Sequence, residues 1–107
     1  MKHEEKNIII HELRTFLNEE QRLTKWPAKY KKKLYFLYWI SHLFDADKTY
    51  TETEVNEMLY QTHTFNDPAL LRRELFSHGF LNRTKDCSTY WAEETNDNLL
   101  ECIEKYI

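Results

Sequence analysis

Glycine is nearly missing from this chain: Gly79 is the single instance in 107 residues, and Pro27 and Pro68 are the only prolines. That scarcity argues against a Gly-rich β-sandwich and for helices joined by short turns. Cysteine is almost as rare. Cys87 and Cys102 are too few for a disulfide framework and form no CxxC pair, so reduced thiols in a cytoplasmic protein are expected. Long apolar runs are absent too. The longest, Leu34 to Ile40, is far too short to cross a bilayer, so no membrane partner is expected. The charged stretch Met1 to Lys6 has no apolar run behind it and does not read as a signal peptide. There is no Gly-rich phosphate loop, nucleophile elbow or metalloprotease helix, and His3, His11, His42, His63 and His78 lack metal-ligand spacing. An enzyme, a bound metal and a cofactor are therefore not expected.

Strong charge of one sign is also lacking. The formal net charge is −3, unevenly placed. Lys25 to Trp91 holds ten basic residues against eight acids, a net of +2, whereas Ala92 onward holds one lysine against five acids, a net of −4. A strong non-specific nucleic-acid binder is usually far more basic.

Apolar residues make up 41% of the chain and aromatics 15%, enough for a packed core in one domain. Ile9, Leu13, Phe16, Leu17 and Leu23 fall near helical spacing and predict a first amphipathic helix over Ile8 to Leu23, ended by Trp26-Pro27. A second helix is expected from Lys29 to Phe44. Its block Leu34 to Ile40 is apolar all round, so it must be covered on more than one side: by the first helix, the last helix or a second subunit. Thr49-Tyr50 reads as a short strand. Thr51-Glu52-Thr53-Glu54 is a capping-box pattern opening a helix that ends near His63. Asp67-Pro68 opens another, an N-cap acid with proline where no amide is needed. That helix runs to His78, and Gly79 stands where a left-handed C-terminal cap belongs. Phe80 to Arg83 and Thr89 to Trp91 read as strands around the polar loop Thr84 to Ser88. Asn96 to Ile107 is a last amphipathic helix with Leu99, Leu100, Ile103 and Ile107 on one stripe.

The order helix, short strand, helix, tight turn, helix, strand, loop, strand is that of a winged helix-turn-helix. The expected fold is α+β, mostly α. Residues 26–91 form the winged helix-turn-helix, residues 1–25 an N-terminal helical extension and residues 92–107 a C-terminal helix. The helix from Pro68 takes the recognition position, and Thr84 to Ser88 is the wing.

Several of these residues also form a family pattern. Trp26-Pro27-Ala28-Lys29, Tyr50-Thr51-Glu52, Glu54-Val55-Asn56, Asp67, Leu71-Arg72-Arg73 with Leu75, Leu81 with Arg83, and Tyr90-Trp91 together resemble the bacterial domain of unknown function 2087. The likeness covers roughly two-thirds of the chain, the span of one small domain. It implies a winged-helix domain, joined in some members to a separate helix-turn-helix regulator domain, and a role in transcription. It implies no catalytic residues. Here Trp26 stands where the family tends to have phenylalanine, and Asp86-Cys87-Ser88 stands where relatives often have a glycine.

Leu71 and Leu75 define the buried direction of their helix, which turns Arg73 outward beside Ala69, Leu70 and Ser77. Arg73 is placed to contact a base edge or a phosphate. Arg72 lies at the edge of the apolar face and is better placed to pair with Glu52, Glu54 or Asp67. Lys31, Lys32 and their neighbours oppose the helix dipole and can grip phosphate or form a solvated face. Arg83, Lys85 and Ser88 in the wing can touch the DNA backbone, with Asp86 against it. Tyr35, Phe36, Tyr38 and Trp39 read as packing in preference to a stacking platform for single strands. The expected function is a DNA-binding regulator reading duplex DNA through Arg73, Ser77, Arg72, Lys31, Lys32, Arg83, Lys85 and Ser88, with a homodimer possible through the terminal helices. The alternative is a protein-interaction or dimerisation module of the same shape that does not touch DNA, motivated by near-neutral charge, an exposed Leu70 and the all-round apolar second helix.

Overall fold

The architecture is that of a computed structural model, which describes residues 1–93 and 97–106. In chain order the elements are α1 (His3–Glu12), α2 (Tyr30–Ser41), β1 (Thr49–Tyr50), α3 (Glu52–Tyr60), α4 (Pro68–Ser77), β2 (Leu81–Arg83), β3 (Tyr90–Ala92) and α5 (Leu99–Tyr106). Among the described residues the fold is α+β: five helices, about half the chain, with a three-stranded antiparallel sheet ordered β1-β3-β2. Thr49 pairs with Trp91 and Tyr50 with Tyr90, while Leu81, Asn82 and Arg83 pair with Ala92, Trp91 and Tyr90. β3 is thus the central strand, hydrogen-bonded on both edges.

Three local signals set the central elements. The Thr51 hydroxyl accepts from the Glu54 amide at 3.1 Å, and the Glu54 carboxylate accepts from the Thr51 amide at 2.9 Å, closing the capping box of α3. The Asp67 carboxylate accepts from the Leu70 amide at 3.1 Å and Pro68 is the first residue of α4. Gly79, at φ 77°, ends α4: its amide donates to Phe76 O at 3.1 Å and the Phe80 amide to Leu75 O at 2.9 Å. Those two bonds are the Schellman pattern, and they turn the chain from helix into β2.

The first helix departs from expectation. α1 lies at His3–Glu12 and the chain leaves it at Leu13, well short of Leu23. The Arg14 and Phe16 amides bond back three residues, not four, and beyond them the Asn18 side-chain oxygen accepts from the Glu20 and Arg22 amides at 3.1 and 2.9 Å. It organises a turn in which Gln21 adopts φ 61° and Leu17 bridges Leu23. Phe16, Leu17 and Leu23 therefore reach the core from a turn, although their spacing imitates a helix. α2 ends at Ser41, because the 42–44 amides bond back three residues, not four, while Phe44 stays buried.

α2 is apolar all round, and its cover comes from this chain. Leu34, Tyr35, Phe36, Leu37, Tyr38 and Ile40 are buried, with α1, α4 and α5 packed on it. Ile9 and Leu13 at one end of the chain and Leu99, Cys102 and Ile103 at the other join Val55, Leu71 and Leu75 in one core. The α5 stripe is shifted from the expected one: Cys102 is inside, and Leu100 is 67% exposed. Asn96 and Ile107 lie outside the described residues.

Candidate nucleic-acid interface

On α4, burial of Pro68, Leu71 and Leu75 against the core turns Arg73 and Ser77 to solvent. Leu70, expected on the exposed face, is half-buried, because its position borders Leu71 on the inward side. Phe76 takes its place as the exposed apolar residue of this face, at 36%.

Arg72 points the other way. Its side chain is only 13% exposed, and its Nη2 lies 2.9 Å from Glu52 Oε1. Its Nη1 donates to Asn56 Oδ1, and its charge acts on the buried Tyr90 phenol of β3. Of the three carboxylates within expectation, Glu54 is held by the α3 cap and Asp67 by the α4 cap, which leaves Glu52. Arg72 thus braces α3, α4 and β3 against one another, and Glu52 neutralises its charge. Burial first, against the favourable Arg72 contact, pushes the Tyr90 phenol above its ordinary range.

The β2–β3 loop sits beside α4. Arg83 is half-buried, with its guanidinium 4.1 Å from the centre of the Phe76 ring. Its Nη1 donates to Cys87 Sγ at 2.9 Å. Arg83 therefore ties the loop to the helix instead of swinging free. Cys87 turns through φ 61°, the left-handed conformation for which glycine is the usual residue. Asp86 stabilises that turn by accepting from Thr84 Oγ1 at 2.6 Å, Ser88 Oγ at 2.7 Å and the Ser88 amide at 3.1 Å. Those bonds bring its carboxyl down to about 2, the Thr84 contribution being largest. The Ser88 hydroxyl is accordingly engaged within the loop, and Lys85 stands exposed at the tip.

The lysines at the start of α2 divide. Lys32 Nζ donates to the Glu12 carbonyl at 2.6 Å and lies 3.6 Å from the Glu12 carboxylate, closing the C-terminal end of α1. Lys31 is exposed, its ammonium 5.8 Å from the Tyr35 ring centre, and Lys33 lies at the same distance from Trp26. Tyr35, Phe36 and Tyr38 are buried and Trp39 half-buried, so the aromatic block is core.

Between α4 and the loop runs a groove of about 350 Å³, lined by Arg72, Arg73, Phe76 and Ser77 on one side and Arg83, Cys87, Tyr90 and Glu52 on the other. A larger concavity of about 500 Å³, near α2 and α5, shares no residue with it. Among the described residues no three His, Cys, Asp or Glu side chains gather as a metal site, and no helix is long and apolar enough to cross a membrane. Burial first, and Asp97 next, push the Cys102 thiol up to about 11. Sequence reasoning missed the Arg83–Phe76 contact, because it joins residues on either side of the Gly79 turn and carries no periodic signal.

Fold and groove together define a small α+β domain that presents one arginine-bearing helix beside a β-hairpin loop. The family model described as "Uncharacterized protein conserved in bacteria (DUF2087)" matches residues 22–92, and the chain belongs to that family. No curated protein and no solved structure matches it.

Proposed function

We propose that this chain is a winged helix-turn-helix protein that binds double-stranded DNA and regulates transcription. In this reading α4 lies in the major groove and the β2–β3 loop, as the wing, lies against the backbone. The observation that carries it is Arg73: an exposed guanidinium on the outward face of α4, beside Ser77, with no ion pair among the described residues. Arg83 lines the same groove, Lys85 is exposed on the wing, and Lys31 adds positive charge at α2. Arg72 and Lys32 contribute by holding helices in place.

A gel shift against random duplex fragments, titrated with salt, tests the reading. If Arg73, Arg83 and Lys85 each neutralise one phosphate, log K falls against log salt with a slope of about −3. Arg73→Glu is expected to weaken binding by about ten- to a hundredfold. A variant that binds as tightly as the parent, at every salt concentration, removes this docking.

The second reading is a protein-interaction module with no DNA contact. It is favoured by Leu100, 67% exposed on α5 between two stretches of acidic chain. A homodimer through the terminal helices would pair that residue with its copy. Light scattering is then expected to show a mass rising towards twice the monomer with concentration. A constant monomer mass removes that pairing.

A further inference from the structure

The groove between α4 and the wing has a charge arrangement that the helix face alone does not explain. Its two walls each present a guanidinium, Arg73 from α4 and Arg83 from β2. The third arginine, Arg72, has its charge met by Glu52 at 2.9 Å. Arg73 and Arg83 make no ion pair with a carboxylate among the described residues. Like charges facing one groove repel each other, and an anion between them relieves that repulsion.

Arg83 is also held ready. The Phe76 ring supports one face of its guanidinium, and Nη1 is spent on Cys87 Sγ and, at 3.4 Å, on Thr84 O. Its Nε and Nη2 donate to no protein acceptor among the described residues. That edge is the fork which takes two oxygens of a phosphate. Little side-chain entropy remains to be lost when it does so, since packing already restrains the arm. Ser77 adds a hydroxyl on the α4 wall.

We propose that this groove is a phosphate seat, with Arg83 as the fork, Arg73 as the facing charge and Ser77 as a supporting donor. Two sources share that chemistry: a phosphodiester of duplex DNA and the phosphate of a free nucleotide. The duplex source rests on the DNA reading above; the seat itself does not.

Nuclear magnetic resonance of the full chain tests it, by titrating inorganic phosphate against chloride at equal ionic strength. Saturable shifts at Arg83 Nε–H and the Ser77 amide, specific to phosphate, are expected. Arg83→Gln is expected to abolish them, and Arg73→Gln to weaken them by about tenfold. Should Arg83→Gln lose its folded spectrum, Arg83→Lys serves: it keeps the charge, lacks the fork and is expected to weaken phosphate by about tenfold. Adding a short duplex, or adenosine monophosphate, to the phosphate-loaded protein separates the sources. Displacement by duplex assigns the seat to the DNA backbone. Displacement by the nucleotide alone keeps the seat and removes the DNA reading. Shifts that do not saturate, match those in chloride, or survive Arg83→Gln overturn the proposal.

Discussion

Replacing His63 with alanine is expected to lower the free energy of unfolding by about 3 kcal/mol, through a lost buried hydrogen bond and the cavity left behind. For a chain of this length that is a fall in Tm of about 10 °C. His63 lies in the turn between α3 and α4, with only 1% of its surface exposed. The Leu59 carbonyl, 2.8 Å from Nδ1, can only accept, so Nδ1 carries the proton. The Asp67 amide, 2.9 Å from Nε2, can only donate, so Nε2 is unprotonated. Its partners thus force one neutral tautomer. Asp67 is the N-cap of α4, and the Arg22 guanidinium donates to the His63 carbonyl at 2.6 Å and to Tyr60 O at 3.0 Å. The ring therefore locks the start of the helix that bears Arg73.

The same geometry predicts a pH dependence. Burial holds the His63 pKa below its ordinary 6.5; Arg22 pushes the same way, against the Leu59 carbonyl and the Asp67 carboxylate. The unfolded chain then binds the proton more readily than the folded one. Stability from this group is complete above pH 6.5 and declines as pH falls below it, by at most about 1.4 kcal/mol per unit. Protonation also sets an N–H against the Asp67 amide. His63→Gln keeps an acceptor but cannot titrate. Its urea denaturation midpoint is expected to vary less than the parent's between pH 7 and pH 5. Equal variation in the two proteins would exclude His63 as the source.

What could be read from the sequence and what could not divides by range. The caps at Thr51 and Asp67 and the exit at Gly79 each depend on residues within about four positions, and all three formed as expected. The inward direction of Leu71 and Leu75 then placed Arg73 outside and Arg72 at the margin. Which carboxylate Arg72 meets was open, because the choice depends on how α3 crosses α4. The first helix misled because Phe16, Leu17 and Leu23 have helical spacing, while the turn that carries them, with Asn18 bonded to two of its amides, leaves no mark in an apolar pattern. The groove was illegible for the same reason. Arg83 joins Phe76 across a helix end, and His63 joins α3 to α4 through a ring that spacing does not distinguish from a surface histidine.

Glu5 makes the longest of these connections, and its loss is the second large effect expected. Its Oε2 accepts from the Leu99 amide at 2.6 Å and from the Tyr38 hydroxyl at 3.1 Å, and its Oε1 accepts from the Lys2 amide at 3.1 Å. Leu99 is the first residue of α5, where backbone amides lack partners within their own helix and the dipole favours a negative charge. A carboxylate on α1 therefore serves the start of α5, with the α2 tyrosine alongside. Burial alone raises the Glu5 pKa, but the Leu99, Lys2 and Tyr38 hydrogen bonds together outweigh it and hold the group below 4.5. The Tyr38 hydroxyl, buried and donating to that carboxylate, is pushed far above its usual range and stays protonated. Stability from Glu5 is thus complete above pH 4.5 and is lost as pH falls through the lowered folded value. Glu5→Gln keeps the shape but loses the charge and turns donors against donors, at a cost of about 2 kcal/mol. In that variant the Leu99 amide is expected to exchange with solvent about thirtyfold faster, as the same energy implies if local opening governs exchange. The loss of stability between pH 5 and pH 3 is expected to shrink. A Leu99 amide as protected as the parent's, with an unaltered acid transition, would show that α5 holds its place by the burial of Leu99, Cys102 and Ile103 alone.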